Sequence, residues 1–145
     1  IPIETLQKAS FIIPNESELA ILSGKEINNL SDCHKAADHL LKTGCKQIIL
    51  TRGEHGAYFL SQNTQIFAPP FKTSVVDTTA AGDAFIGGFA VALANEVDLS
   101  TALLQASAAG ALAVTKAGAQ TSLPDKTELE RFLSNNKQEV ILKNL

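Results

Sequence analysis

The sequence predicts an α/β domain in which helices cover both faces of a sheet. Three observations carry this. Two continuous apolar runs, "SFIIP" at 10–14 and "KQIILTRG" at 46–53, have the length of buried strands and stop at proline or glycine. Between them lie two stretches that read as helices, so the order is strand, helix, strand. Further on, residues 81–116 are rich in alanine with interior glycines, which suits helices packed closely together.

Each element follows from local chemistry. After the first run, "NESELAILSG" begins with Asn15 as a cap, carries Glu16 and Glu18 in the positive first turn, and ends at Gly24. "SDCHKAADHLLKTG" predicts a second helix from a cap at Ser31 or Asp32 to Gly44, with Ala36, Ala37, Leu40 and Leu41 on one face. After the strand at 46–53, "GAYFLSQ" and "TQIFAPP" predict a hairpin turning near Gln62 and Asn63. A helix over 81–95 contains Gly87 and Gly88, both expected to let another element approach. A further helix covers roughly Leu99 to Lys116. "KAGAQTSLPD" then reads as a loop, and Asp125 or Thr127 starts a last amphipathic helix to about Leu133.

The 145 residues have the size of one ordinary domain, and 45% hydrophobic with 19% charged suffices for a packed core. The net charge of −3, with lysine and arginine scattered, argues against a nucleic-acid or membrane-surface partner. Cys33 and Cys45 form no CxxC pair and read as reduced thiols of a cytoplasmic protein. His34 and His39 lie near Cys33, but a zinc site needs three or four convergent ligands. No apolar run approaches the roughly 18 residues of a membrane span, and no signal peptide is evident. The chain starts at Ile1 and contains no methionine, so the expectation is a piece of something longer.

The chemistry concentrates in "DTTAAGDAF", residues 77–85. Thr78 or Thr79 is expected to cap the helix that follows. Ala80, Ala81 and Gly82 leave backbone N–H groups uncovered at its positive end, where a phosphate or a developing oxyanion fits. Asp83 beside them can take a proton from an alcohol, the general-base role of phosphoryl transfer. Helix physics alone leaves the plainer reading open, in which Asp83 only stabilises its helix.

"DTTAAGDAF" resembles the C-terminal motif of the ribokinase-like carbohydrate kinases. "PNESE", "ILTRGEHGAYF" and "AVTKAGAQTSLP" resemble further elements of that family, in the family's order. The resemblance covers essentially the whole chain, but only the C-terminal part of such a kinase. It implies a three-layer α-β-α, Rossmann-like sheet, with residues 1–145 as the C-terminal nucleotide-binding and catalytic part of the large domain. It implies Asp83 as the catalytic base and the backbone of Ala80, Ala81 and Gly82 as an anion hole. Asn15 matches a position near the nucleotide phosphates, Glu18 one linked to magnesium, and Thr51, Gly53 and Gly56 a loop against the nucleotide. Ser107 matches a position beside the adenine, where a larger Asn or His is frequent. Asp77, Thr79, Ala113, Lys116, Gly118 and Ser122 match a potassium site, mostly through carbonyls. Ala80 stands where many members have glycine.

The resemblance thus implies ATP, Mg2+ and K+ as cofactors and a small-molecule sugar as substrate. The expected reaction phosphorylates a sugar hydroxymethyl group, with ribose to ribose 5-phosphate favoured and a full-length homodimer expected. Another sugar or nucleoside kinase, or a non-catalytic nucleotide-binding or regulatory module, is the alternative. The family's N-terminal Gly-Gly element and β-sheet lid have no counterpart here, since "GG" occurs only at Gly87 and Gly88. The 145 residues alone are therefore expected to be inactive, and to aggregate or pair with another chain.

Overall fold

The structure is a computed structural model and describes residues 1–144. The chain divides into two compact units. The first holds Ile1–Arg52, Ala57–Phe67 and the residues from Leu142; the second holds Gly53–Gly56 and Ala68–Ile141.

The first unit opens with a short helix the sequence did not announce, α1 (Ile3–Lys8), followed by α2 (Glu16–Ser23) and α3 (Leu30–Lys42). Asn15 caps α2, and Gly24 closes it in the left-handed region, at φ 65°. The cap of α3 is Asn29 rather than Ser31 or Asp32. Its side chain accepts the Asp32 amide, which makes Asp32 the third helical residue instead of the cap. Leu19 of α2 and Cys33, Ala36, Ala37 and Leu40 of α3 form the core with Ile48 and Leu50.

Strands β1 (Ile48–Thr51), β2 (Ala57–Leu60), β3 (Thr64–Ala68) and β4 (Ile141–Asn144) make one sheet in chain order. β1 and β2 are antiparallel, with Ile49 opposite Phe59 and Thr51 opposite Ala57. The hairpin turns at the expected residues, where the Ser61 amide donates to the Thr64 carbonyl at 2.9 Å. The run at 10–14 does not become a regular strand. It makes two isolated parallel bridges to β1, Ile12 to Ile48 and Asn15 to Thr51. Pro14 explains this: it has no N–H, so the ladder loses a bond between the two bridges.

The second unit is built on three helices: α4 (Ala81–Ala94), α5 (Leu99–Ala113) and α6 (Lys126–Asn135). Asp98 caps α5, and Asp125 caps α6 in a capping box with Glu128. Helix α5 ends at Ala113, three residues short of the Lys116 expected from sequence. Gly88 and Gly110 let α4 and α5 touch. A methyl on Gly88 would stand 2.9 Å from Cβ of Ala109, and one on Gly110 would stand 3.2 Å from the Ala81 carbonyl. Gly87 does not share this role: a Cβ there would meet nothing within 4 Å. Among the described residues no helix is long and apolar enough to cross a membrane.

The two adjacent glycines should therefore respond in opposite ways. Gly88→Ala should lower stability by about 1–3 kcal/mol through overpacking against Ala109. Gly87→Ala should be neutral or raise it by up to about 1 kcal/mol, because alanine is the better helix former. Urea denaturation of the two variants measures both; equal effects would show that the Gly88 contact sets nothing.

Candidate active site

In the second unit, the turn at 77–80 delivers the chain into α4. Asp77 organises it. Its Oδ1 accepts the Thr79 hydroxyl at 2.6 Å and the Thr79 amide at 2.9 Å, and its Oδ2 accepts the Gly118 amide at 3.1 Å. These bonds, the Thr79 hydroxyl first, hold the Asp77 carboxyl down to about 2. Neither threonine caps α4, contrary to the sequence expectation, because Thr79 spends its hydroxyl on Asp77. The cap position is Ala80, with ψ of 8° and no capping side chain. Helices α2, α3, α5 and α6 all have side-chain caps on extended backbone.

The start of α4 is therefore open. The Ala81 amide donates to the Thr78 carbonyl at 3.2 Å. Among the described residues, the amides of Ala80, Gly82 and Asp83 make no hydrogen bond. A Cβ on Gly82 would meet nothing within 4 Å, so the approach is clear. Unpaired donors at a helix's positive end, with room in front, suit a phosphoryl group. Asp83 is exposed, and its carboxylate makes no hydrogen bond or ion pair among the described residues. It is free to accept a proton from an alcohol. It also lines a cleft of about 540 Å3 with Gly87, Gly88 and Val91 of α4 and Leu129 of α6.

The six residues matched to a cation site lie in the same unit. Asp77, Thr79 and Gly118 are joined by the bonds just given. Gly118 sits at φ 98°, and a Cβ there would come 2.5 Å from Oγ1 of Thr121, so only glycine fits. Ser122 is buried, and its hydroxyl donates to the Ala119 carbonyl at 2.7 Å. The Ala113 carbonyl accepts the Lys116 amide at 3.3 Å. The Lys116 ammonium pairs with Glu128 at 2.7 Å and so cannot compete with a cation. That same contact, ahead of the Asp125 amide, keeps the Glu128 carboxyl below its ordinary range. A carboxylate has about four acceptor sites, and Asp77 uses three. One remains for an outside partner.

In the first unit, Asn15, Glu18 and Thr51 come together. The Asn15 side chain accepts the Glu18 amide at 2.9 Å, and Glu18 Oε2 accepts the Asn15 amide at 2.8 Å. Oε1 of Glu18 is left for an outside partner. Thr51 bridges to Asn15, and its amide donates to the Pro14 carbonyl at 2.9 Å. Gly53 opens a short 3-10 turn in the second unit and Gly56 follows it, with φ of 52° and 85°. Space around Gly53 is open to 4 Å, and His55 within the turn is exposed. Ser107 on α5 has its hydroxyl sealed from solvent without a hydrogen-bond partner. A buried orphan of this kind suits a ligand atom as its missing partner.

Sequence reading missed three contributors. Glu16 pairs with Arg52 at 2.9 Å and accepts the Cys33 thiol at 3.6 Å. Burial, then Glu16, pushes that thiol upward. Glu128 ties the 116–118 segment to α6. Only Glu128 left a signal, since D-x-x-E is a capping box; the Arg52 pair joins residues 36 apart and left none.

The depressed Asp77 carboxyl has a pH consequence. Its folded value of about 2 lies below the usual 3.8, so its contribution is complete above about pH 4 and is lost as pH falls toward 2. Asp77→Asn should lower the thermal midpoint at pH 6, with the gap to wild type narrowing by pH 3. A gap of the same size at both pH values would contradict this origin.

A profile of the pfkB family carbohydrate kinases matches residues 3–126. The deoxyribokinase of Salmonella typhi is 37% identical over 130 residues, which cover 90% of this chain and 42% of that protein. The ribokinase structure from Thermotoga maritima superposes with a TM-score of 0.86 at 39% identity, covering 93% of this chain and 46% of its own. The Arabidopsis thaliana ribokinase complexed with ribose and ATP gives 0.87 at 33% identity, covering 92% and 43%. This chain thus spans about two-fifths of the length of such relatives. The likeness shows an α/β ribokinase-like fold. The chain belongs to the pfkB family of carbohydrate kinases.

Proposed function

We propose that residues 1–145 form the C-terminal nucleotide-binding and catalytic part of an ATP-dependent sugar kinase. The reaction moves the terminal phosphoryl of ATP onto a sugar hydroxymethyl group. The observation that carries this is the open start of α4, where unpaired amides adjoin the unpaired carboxylate of Asp83.

Asp83 takes the proton from the attacking hydroxyl, which raises the oxygen's nucleophilicity as the bond to phosphorus forms. The amides at residues 80–83 stabilise the charge gathering on the transferred group; Ala81 shares its N–H with Thr78. Asn15, Thr51, Gly53 and Gly56 hold the nucleotide, and Ser107 offers its orphan hydroxyl to the base. Glu18 would link to magnesium through its free oxygen, and the ion supplies charge neutralisation on the phosphates when bound. The carbonyls and side chains around Asp77, Gly118 and Ser122 would hold potassium, which adds positive potential beside the anion site.

Ribose is the first substrate to try. The relatives include a deoxyribokinase, ribokinases, an aminoimidazole riboside kinase and a 1-phosphofructokinase, so the sugar-kinase class is better supported than any single substrate. The test uses the longest natural form of the protein, a panel of ribose, deoxyribose, hexoses and nucleosides, and Asp83→Asn. The expected loss in kcat is about 10^2–10^4-fold, with ATP affinity within about twofold of wild type. A turnover number within about threefold of wild type would remove Asp83 from the mechanism. ATP binding with no phosphorylation of any sugar would instead establish a non-catalytic nucleotide module.

A further inference from the structure

The bonds inside the "PNESE" turn fix that turn to itself. Asn15 and Glu18 exchange hydrogen bonds within α2, and neither side chain reaches β1. What registers the turn against the end of β1 is the parallel contact between residues 12–15 and 48–51. That contact is incomplete. The Ile12 amide donates to the Gln47 carbonyl, the Ile49 amide to the Ile12 carbonyl, and the Thr51 amide to the Pro14 carbonyl. The bond missing from this alternation, between the second and the third, would come from the amide of residue 14, and proline has none.

One side-chain pair lies just beyond the second bridge. Glu16 follows Asn15, and Arg52 follows Thr51, so the pair continues the Asn15–Thr51 bridge by one residue on each side. Arg52 Nε donates to Glu16 Oε1 at 2.9 Å, and the Arg52 side chain is only 15% exposed. The same Glu16 oxygen accepts the thiol of Cys33, a fully buried residue of α3. The carboxylate is thereby anchored to the core of the first unit as well as to the strand end.

We propose that the Glu16–Arg52 pair is a positioning clamp that holds the 15–18 turn in register with the 51–52 strand end. It rests, for its use, on the nucleotide-site reading above: both segments carry residues assigned to the nucleotide, and neither Glu16 nor Arg52 is itself assigned a contact. A slip between them would misplace Asn15 and Glu18 relative to Thr51. Arginine is suited to the task because its planar fork fixes direction as well as charge, which a lysine ammonium does not.

The test compares Glu16→Gln, Arg52→Gln, their double variant and Arg52→Lys. Two quantities are read at a temperature well below unfolding: exchange of the Thr51 amide relative to Leu50 in the same strand, and the dissociation constant for Mg-ATP. Each single Gln variant should speed Thr51 exchange about tenfold relative to Leu50 and weaken Mg-ATP about five- to tenfold. The double variant should be no worse than either single one, since the second change removes nothing further. Arg52→Lys should recover part of the loss. Losses that add in the double variant, or Thr51 exchange that follows Leu50 in every variant, would overturn the clamp. So would a lowered melting temperature with Mg-ATP affinity unchanged in a wild type that binds it. If wild type takes up no Mg-ATP but Thr51 responds as described, the clamp stands and the nucleotide reading fails.

Discussion

The contact on which the second unit depends is the close approach of α4 and α5. It is made by absences: no side chain at Gly88, none at Gly110, and only methyl groups at Ala106 and Ala109. Small surfaces bring backbones near enough for dispersion to act over many atoms at once. The position of Gly110 matters most for chemistry, because it receives the carbonyl of Ala81, the first residue of α4. The helix is thus gripped at the end where Asp83 and the open amides lie. A rigid helix can present donors in a fixed direction without reorganising at the moment of reaction. The packing and the proposed anion site are two consequences of the same small residues.

The two units handle polar groups differently. In the first, side chains close the starts of α2 and α3, and the charged residues Glu16 and Arg52 satisfy each other against the core. In the second, α5 and α6 are closed in the same manner while α4 is left open. Asp77 marks the boundary between these regimes. It serves the turn before α4 and accepts the Gly118 amide 41 residues away. That one carboxylate ties the 77–79 turn to Gly118, and the Lys116–Glu128 pair ties the same segment to α6.

Much of this was legible in the sequence because it is encoded locally. Asn15 before Glu18 is a capping box, Gly24 and Gly44 end helices, and the hairpin turn falls between two apolar runs. The "DTTAAGDAF" motif placed Asp83 in the first turn of α4, where it is found. What was not legible is what depends on distant partners. Thr79 looked like a cap because nothing nearby in sequence shows that its hydroxyl goes to Asp77. Gly87 and Gly88 read alike, and only the position of α5 separates them. The 10–14 run has strand composition, but Pro14 limits it to bridges. The helix at Ile3–Lys8 is too short and too mixed to announce itself; Gln7 ties it down by donating to the Thr43 carbonyl.

The backbone at Ala80 has a bearing on how this protein can evolve. Most substitutions destabilise, but stabilising ones remain within reach of a natural protein, and an uncapped helix is an obvious place for one. A serine or asparagine arriving at position 80 would not deliver one directly. Capping needs extended backbone, as at Asn15, Asn29, Asp98 and Asp125, whereas Ala80 has a ψ of 8°. The residue is also almost fully buried, which penalises anything larger. Closing the helix would take a turn rebuilt from Asp77 onward, several coordinated changes rather than one. The opening is therefore protected from drift by geometry, without selection having to act on each amide.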